Sequence, residues 1–148
     1  MPEPQEAARL YRHQFSSRVT FGDLDAMGHM NNLALLRLLE TGRVGYMVDT
    51  GMARHDELTY VLARLETDFR AQGLFGDHLT CGTRITRLGR TSFTMDQRIW
   101  RDDGAVLVGS TSILVALGPD KATPIPVPDR WRAAIQDWER NLLDGAHV

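Results

Sequence analysis

The sequence predicts an α+β domain in which a long antiparallel sheet wraps around one central helix and a second helix ends the chain. Two patterns support this fold class. A leucine-rich stretch of helical length occupies residues 33–50, and it is followed by four segments in which apolar and polar residues alternate. A sheet that curls around an apolar helix buries the apolar faces of both elements. The length of 148 residues suits one domain, spanning 1–148.

The composition excludes several classes of protein. Hydrophobic residues make up 43% of the chain and charged residues 24%, as in soluble globular domains. The net charge of −2 provides no basic surface for nucleic acid, and no apolar run approaches the roughly 20 residues that span a membrane. The N-terminal residues lack the apolar core of a signal peptide, and Cys81 is the only cysteine. We therefore expect a cytoplasmic protein that has no disulfides and binds neither nucleic acid nor membranes.

The chain begins with a polar segment, residues 1–11, that we expect to be frayed. A strand is predicted between His13 and Phe21, because three apolar residues share one parity there: Phe15, Val19 and Phe21. Residues 22–32 are rich in Gly, Asp and Asn, and this composition predicts a loop.

The central helix is expected at about residues 32–50, with Gly51 as a suitable left-handed C-terminal cap. Gly42 and Gly45 lie inside it at a cost of roughly 1 kcal/mol each relative to Ala. That cost indicates close approach of another element, most simply a strand. We expect the helix to be buried on most sides, because its leucines point in nearly every direction: Leu33, Leu35, Leu36, Leu38 and Leu39.

Four alternating segments after the helix predict the remaining strands. On the first, one face comprises Thr59, Val61, Ala63, Leu65, Thr67 and Phe69. On the second and third, the corresponding faces comprise Leu79, Cys81, Thr83 and Ile85, and Phe93, Met95, Gln97 and Ile99. Gly89 and Asp102–Gly104 are hairpin signals, and the fourth segment, 105–117, is continuously apolar like a central strand.

The last part of the chain, residues 119–148, is predicted to be a proline-rich link and a terminal helix. Four prolines between 119 and 128 interrupt the strand pattern. The helix that follows has one apolar face: Trp131, Ile135, Trp138 and Leu142. A single sheet of this kind leaves an edge and a face open, so we expect a second copy to cover them in a homodimer or a homotetramer.

Residues with the chemistry of a reaction site are concentrated in one segment, FGDLDAMGHMNN at 21–32. The helix after it begins with unpaired N–H groups at the positive end of its dipole, which can polarise a carbonyl or hold an oxyanion. A carboxylate a few residues upstream would face that carbonyl as a general base or a nucleophile. Gly28 would let the backbone approach the ligand closely. Together these parts suit the transfer of an acyl group to water.

Structural interpretations compete with the catalytic one for the individual residues. Asx side chains build turns, and this explanation is favoured for Asp23 and also fits Asn31. Either Asn31 or Asn32 would be the N-cap of the helix. His29 could simply pack and bond a carbonyl. No metal site is expected, because the other histidines are isolated and the sequence contains neither HxxxH nor HExxH.

This segment and its context resemble a known family. F-G-D-L-D-A-M-G-H-M-N-N followed by L-L-E-T-G-R-V is similar to the signature of hotdog-fold acyl-CoA thioesterases of the 4-hydroxybenzoyl-CoA thioesterase-like branch. The resemblance extends through V-L-A-R-L-E-T-D-F-R, F-G-D-H-L-T and R-L-G-R-T-S-F-T, and covers about residues 12–130. It implies the hotdog fold and hydrolysis of an acyl thioester carried by coenzyme A or an acyl-carrier protein. The sequence has no Gly-rich phosphate loop and no Rossmann fingerprint, so we expect no cofactor other than the coenzyme A of the substrate.

The resemblance also implies roles for individual positions. Asp25 stands where the family places its catalytic carboxylate, and Asn32 stands where a backbone N–H polarises the thioester carbonyl. His29 and Asn31 match the family's G-H-x-N-N and would shape the site beside the reacting carbon. Leu35 replaces a tyrosine that is common in the family, which implies an apolar pocket with one hydroxyl fewer.

Two pairs of charged residues have weaker assignments. Glu40 and Arg43 match the family's helix E-x-x-R, and we favour a structural ion pair. Glu40 is the reserve catalytic carboxylate, because some hotdog thioesterases carry that group on this helix. Arg87 and Arg90 lie at a predicted hairpin where guanidinium groups would reach the phosphates of coenzyme A, with ordinary surface arginines as the alternative. We expect Cys81 to be a core residue rather than a nucleophile.

Two other functions remain open from the sequence. Hydratase or dehydratase chemistry on the same fold would use His29 with Asp25 to move a proton and water across a C=C bond. A non-catalytic module that binds acyl thioesters would keep the pocket without turnover, since Asp25 is also an adequate turn residue. Release of free coenzyme A from a panel of acyl-CoAs distinguishes the three functions.

Overall fold

The computed structural model describes residues 8–54 and 57–143 and confirms the predicted α+β architecture. The strands are β1 (His13–Arg18), β2 (Tyr60–Phe69), β3 (His78–Leu88), β4 (Ser92–Arg101) and β5 (Val106–Ala116). The two long helices are α1 (Asn32–Asp49) and α2 (Asp129–Leu143), and a short 3₁₀ helix spans Phe21–Asp23.

The strands form one antiparallel sheet in the order β1-β3-β4-β5-β2, so β1 and β2 are its edges. We call the end where β1 finishes at Arg18 and β3 begins at His78 the loop end. The opposite end, where β3 and β4 meet around Gly89, is the hairpin end. Because β3 has 11 residues, the two ends are roughly 33 Å apart. The continuously apolar β5 lies between β4 and β2, as its composition predicted.

Helix α1 crosses one face of the sheet at very close range. Leu35 and Leu39 are buried in this contact. At Gly42 the crossing is so close that a Cβ atom would lie 2.9 Å from Cys81 Sγ and 2.9 Å from Gln97 Nε2. This geometry confirms that strands approach the helix at Gly42, and it explains why a residue without a side chain occupies the middle of α1.

A row of polar side chains crosses the sheet beneath this contact. Four of them are direct neighbours on β3, β4, β5 and β2: Thr83, Gln97, Ser110 and Thr67. The Gln97 side chain is fully buried, and its Nε2 donates to the Leu39 carbonyl at 2.8 Å and to Thr83 Oγ1 at 2.9 Å. Its Oε1 accepts from Arg43 at 3.3 Å. Gln97 therefore holds α1 at a fixed position over the centre of the sheet.

The expectation that α1 is buried on most sides is wrong for a single chain. The sheet packs against only one side of the helix, so Leu35 and Leu39 are buried whereas Leu33 is 72% exposed. Glu40 and Val48 are exposed on the same outward side. One sheet face cannot cover a whole helix, and no other element in residues 8–54 and 57–143 covers the outward side of α1.

The alternation predicted for β2 is interrupted at Ala63. The pairing of β2 with β5 shifts register between Leu62 and Arg64, which places one extra residue in β2. Leu65 faces α1 as predicted, but before the bulge Leu62 does so and Val61 faces away. The predicted face of Val61 is therefore wrong, because a bulge moves the side chains on one side of it to the opposite face.

The N-terminal region differs from its prediction at two residues. The strand ends at Arg18, and Phe21 lies in the 3₁₀ helix, 81% exposed, rather than on the strand face. Tyr11 belongs to the segment expected to be frayed, yet it is fully buried against Gly82, and its hydroxyl donates to Asp96 Oδ2 at 3.1 Å. Residues 1–7 of that segment lie outside the described residues.

Helix α2 packs against β3 and completes the core at the hairpin end. Trp131 and Ile135 are buried and Trp138 packs beside them, as the amphipathic pattern predicted. The side chain of Leu142 lies outside the described part of the structure. Across residues 8–54 and 57–143, no helix is long and apolar enough to span a membrane.

Gly42→Ala should lower the free energy of unfolding by about 1–3 kcal/mol, because the new methyl group overlaps Gln97 and Cys81. Gly45→Ala is the matched control. Its Cβ would lie 3.5 Å from His13, an ordinary contact, so helix propensity should stabilise that variant by up to about 1 kcal/mol. Urea unfolding of both variants measures the difference. Equal stabilities would contradict the close crossing.

Candidate functional site

The loop between β1 and α1 is built by short-range side-chain hydrogen bonds. Asp23 Oδ2 accepts from the amide of Thr20 at 2.9 Å and from its hydroxyl at 3.0 Å, which closes a capping box on the 3₁₀ helix. Asn31 Oδ1 accepts from the Ala34 amide at 2.7 Å, and Asn31 Nδ2 donates to the Asp23 carbonyl at 2.9 Å. Asn31 is therefore the N-cap of α1, and Asp23 has the structural position predicted for it.

Asp25 provides an exposed carboxylate in this loop. Its Oδ1 accepts from the amides of Met27 at 2.9 Å and His29 at 3.1 Å. The loop closes through the Asp25 amide, which donates to the His29 carbonyl at 2.7 Å, and through Gly28, whose φ of +81° suits glycine. Among the described residues no hydrogen-bond donor reaches Oδ2, so its lone pairs are available.

The N-terminus of α1 supplies a hydrogen-bond donor beside this carboxylate. Asn32 is the first residue of the helix, and no described residue accepts a hydrogen bond from its amide. The helix dipole adds positive potential at this end. A carbonyl oxygen or an oxyanion placed here would be stabilised.

A pocket of about 250 Å³ brings these groups together. Four residues singled out in the sequence line it: Asp25, His29, Asn32 and Leu35. The opposite wall is formed by the end of β2 and the residues after it: Phe69, Arg70, Ala71 and Gln72. A carboxylate, a helix N-terminus and apolar surface thus open into one space.

Residues 69–72, which form the opposite wall of the pocket, were not predicted from the sequence to be part of the site. This wall reaches the loop because the amide of Arg70 donates to the Leu107 carbonyl at 2.8 Å, beside β5. The Met30 amide then donates to the Gly73 carbonyl at 2.7 Å, and a Cβ on Gly73 would lie 3.1 Å from that of Met30. Gly73 is the available sequence signal, since a glycine after a strand permits another backbone to come this close.

Comparison with known proteins agrees with this geometry. The family model of the thioesterase-like superfamily matches residues 19–138 of the sequence. The chain belongs to this superfamily. No curated protein sequence matches it significantly.

Solved structures of thioesterases share the fold. A thioesterase from Thermus thermophilus, crystallised with coenzyme A and Zn, is 30% identical with a TM-score of 0.81, over 88% of this chain and 96% of that one. A predicted thioesterase from Bacillus stearothermophilus is 28% identical with a TM-score of 0.73, over 84% and 96%. A 1,4-dihydroxy-2-naphthoyl-CoA thioesterase from Synechocystis, 19% identical, has the same fold with a TM-score of 0.75 over 84% and 95%. The hotdog fold is confirmed, and the protein is a thioester hydrolase.

Glu40, the reserve carboxylate of this thioesterase, lies outside the Asp25 pocket. It is roughly 12 Å along α1 from Asn32 and lines a separate hollow of about 510 Å³ on the outward side of the helix. The ion pair predicted with Arg43 does not form between these two described residues. Arg43 turns inward to Gln97 instead, and burial lowers the pKa of its guanidinium.

Arg87 and Arg90 lie at the hairpin end of the thioesterase and are exposed. The Asp25 pocket is at the loop end, roughly 30 Å away along the sheet. A single chain therefore does not bring these arginines to the pocket, and a substrate could contact both regions only across two chains.

Cys81 is a core residue, as predicted. It is buried beneath α1, and burial raises the pKa of its thiol to about 12. A thiol with that pKa supplies almost no thiolate at neutral pH. Within the described ranges, no three His, Cys, Asp or Glu side chains converge on a common point where a metal ion could bind.

Proposed function

We propose that this thioesterase hydrolyses acyl-CoA to a free acid and coenzyme A, with Asp25 as the general base or nucleophile. One observation carries the proposal: Asp25, with its exposed carboxylate, and Asn32, whose amide at the helix N-terminus has no acceptor among the described residues, line the same pocket. The Thermus thermophilus relative, crystallised with coenzyme A, supports this carrier. An acyl-carrier protein is the second carrier that the pocket would accept, since both present a thioester on the same pantetheine arm.

In the general-base mechanism, the thioester oxygen accepts a hydrogen bond from the Asn32 amide, which polarises the carbonyl. Asp25 Oδ2 takes a proton from water while the water oxygen bonds to the carbonyl carbon. Collapse of the tetrahedral intermediate breaks the C–S bond, and the proton on Asp25 passes to the leaving sulfur. In the nucleophilic variant, Oδ2 itself bonds to the carbonyl carbon, the thiolate leaves, and water hydrolyses the resulting anhydride.

The other residues of the pocket hold these two groups in place. His29 and Gly28 act through the backbone turn that fixes Asp25 Oδ1 and leaves Oδ2 free. Asn31 fixes the first turn of α1 by capping it. Leu35 provides apolar surface beside the reacting carbon, where the acyl group would lie.

Two copies of the chain complete the site in this proposal. Among the described residues no strand pairs with the outer edge of β2. This edge exposes four large apolar side chains: Val61, Leu62, Leu65 and Phe69. An open apolar edge strand favours pairing with another strand. Antiparallel pairing of β2 with its own copy about a two-fold axis extends the sheet into a dimer. Pairing of the polar outer faces of two such dimers would give a homotetramer.

The two-fold axis places the hairpin end of one copy beside the loop end of the other. Arg87 and Arg90 of one copy then lie three to four strand spacings, roughly 15–19 Å, from the Asp25 pocket of the other. The pantetheine arm of coenzyme A is a long flexible chain between the thioester and the phosphates. The predicted role of the two arginines as phosphate ligands therefore suits a dimer and not a single chain.

Asp25→Asn should lower kcat by at least about 10²-fold while substrate binding is largely kept. The amide can still form the turn through Oδ1 but cannot accept a proton or attack the carbonyl. Asp23→Asn is the matched control in the same loop and should change kcat little, because Asp23 serves the capping box. Free thiol released from short, long and aryl acyl-CoAs measures turnover.

Three outcomes would contradict this assignment. An inactive Glu40→Gln variant beside an active Asp25→Asn variant would move the chemistry to α1. Wild-type protein that binds acyl-CoA without releasing coenzyme A would be a binding module. Hydration of an enoyl-CoA without thiol release would identify the hydratase chemistry.

Leu65→Asp should convert the oligomer into a 16.7 kDa monomer, because the substitution places a charge on the apolar edge that meets its copy. Turnover of acyl-CoA should also fall in the monomer, since Arg87 and Arg90 of the second copy no longer lie beside the Asp25 pocket. Asp68→Asn, on the outer face of the same strand, is the control. Light scattering reports the mass, and a wild-type monomer at micromolar concentration would contradict the assembly.

A further inference from the structure

Helix α2 holds the β3–β4 hairpin through two polar side chains. Arg132 and Glu139 are seven residues apart, so they lie on one face of the helix with a separation of roughly 10.5 Å along its axis. Both side chains bond to backbone groups in the last part of β3 and in the turn after it. The helix therefore contacts the hairpin by more than apolar packing.

Arg132 bonds to the turn itself. Its Nη2 donates to the carbonyl of Gly89, and also to the carbonyl of Arg90 at 3.0 Å. The amide of Val127, in the link before α2, donates to the same Arg90 carbonyl at 2.8 Å. The turn is tight, since a Cβ on Gly89 would lie 2.9 Å from Ser92 Oγ. Three hydrogen bonds from the C-terminal region thus fix the two residues at the tip.

Glu139 bonds to the strand that leads into the turn. It is buried, and its Oε1 accepts from the Ile85 amide at 3.1 Å and from the Tyr46 hydroxyl at 2.7 Å. The register of β3 with β4 shifts between Ile85 and Arg87, which marks a bulge. Because of this bulge Arg87 lies on the outer face, opposite Thr94, instead of sharing the buried face of Ile85.

The two contacts together determine where the hairpin presents its arginines. The bulge next to Ile85 directs Arg87 outward. The hydrogen bonds from Arg132 to the Gly89 and Arg90 carbonyls fix the backbone that carries the Arg90 side chain. Because the Arg132 guanidinium bonds to the carbonyls of Gly89 and Arg90, it also places a positive charge next to the Arg90 backbone. A hairpin whose backbone is fixed before binding loses less conformational freedom when its arginines meet phosphates.

We propose that α2 acts as a brace for coenzyme A recognition and that Arg132 is its positioning residue. Arg132 holds the hairpin so that Arg87 and Arg90 reach the phosphates of coenzyme A bound in the pocket of a second copy. This inference rests on the proposed function and names a part of the site that lies on the C-terminal helix.

Arg132→Gln should raise KM for acyl-CoA by about 3- to 10-fold with kcat unchanged, the effect expected from releasing one or two ordered side chains. KM for the matching acyl-pantetheine, which lacks the nucleotide and its phosphates, should not change. Arg132→Lys keeps a cation that can donate to both carbonyls and should restore much of the affinity. Arg140→Gln, at the other end of the same helix, is the control and should leave both KM values as in wild type.

An equal rise in KM for acyl-CoA and acyl-pantetheine would assign Arg132 a merely structural role and overturn the proposal. Unchanged KM for acyl-CoA would overturn it as well. If the wild-type protein turns over no thioester, the proposed function fails, and calorimetry with coenzyme A itself then decides the role of Arg132. Weaker coenzyme A binding by Arg132→Gln and near wild-type binding by Arg132→Lys would still support the brace. Equal binding by all three proteins, or none by wild type, would overturn it.

Discussion

The contact of Gly42 with the buried amide of Gln97 sets the geometry on which the rest of the structure depends. Gln97 lies in the middle of the sheet and bonds the Leu39 carbonyl of α1, so the helix is held at one depth and one position along the strands. The first turn of α1 belongs to the same rigid helix. The crossing therefore also determines where the Asn32 amide lies relative to the end of β2, which forms the opposite wall of the pocket. The site is a consequence of packing at the centre of the fold as well as of the loop that carries Asp25.

The same one-sided packing leaves two surfaces of the chain open. The outward side of α1 exposes apolar residues, and within the described part of the chain no strand lies beyond β2. Both features favour the proposed second copy. A two-fold axis at β2 also resolves the separation between the Asp25 pocket and the hairpin arginines, which lie at opposite ends of one sheet. Chemistry would then be supplied by the loop of one copy and phosphate recognition by the hairpin of the other. Helix α2, which follows the strands in the sequence, bonds to that hairpin and in this proposal would contribute to the site from a distance.

Much of the fold could be predicted from the sequence, because periodicity records which face of each element is buried. The alternation of Cys81, Thr83 and Ile85 was sufficient to place β3, and the Asn and Gly residues at the ends of α1 marked its limits within a residue or two. The two bulges were not predictable. One extra residue moves Val61 and Arg87 to the other face of the sheet, but the sequence pattern does not indicate where such a residue is inserted. In the site, the loop motif led to Asp25, His29 and Asn32, which are near one another in the sequence. The wall at residues 69–72 depends on strand register, and the hydrogen bonds from Arg132 to the hairpin depend on the path of α2. Local sequence patterns encode neither.

A crystal structure with a non-hydrolysable acyl-CoA, in which a methylene group replaces the thioester sulfur, tests the central claim most directly. The account predicts that the acyl carbonyl oxygen lies about 2.7–3.1 Å from the Asn32 amide, with Asp25 Oδ2 facing the carbonyl carbon. It also predicts that the phosphates contact the hairpin of the second copy of the chain. A carbonyl bound beside Glu40, or phosphates held by the same chain that provides Asp25, would contradict it.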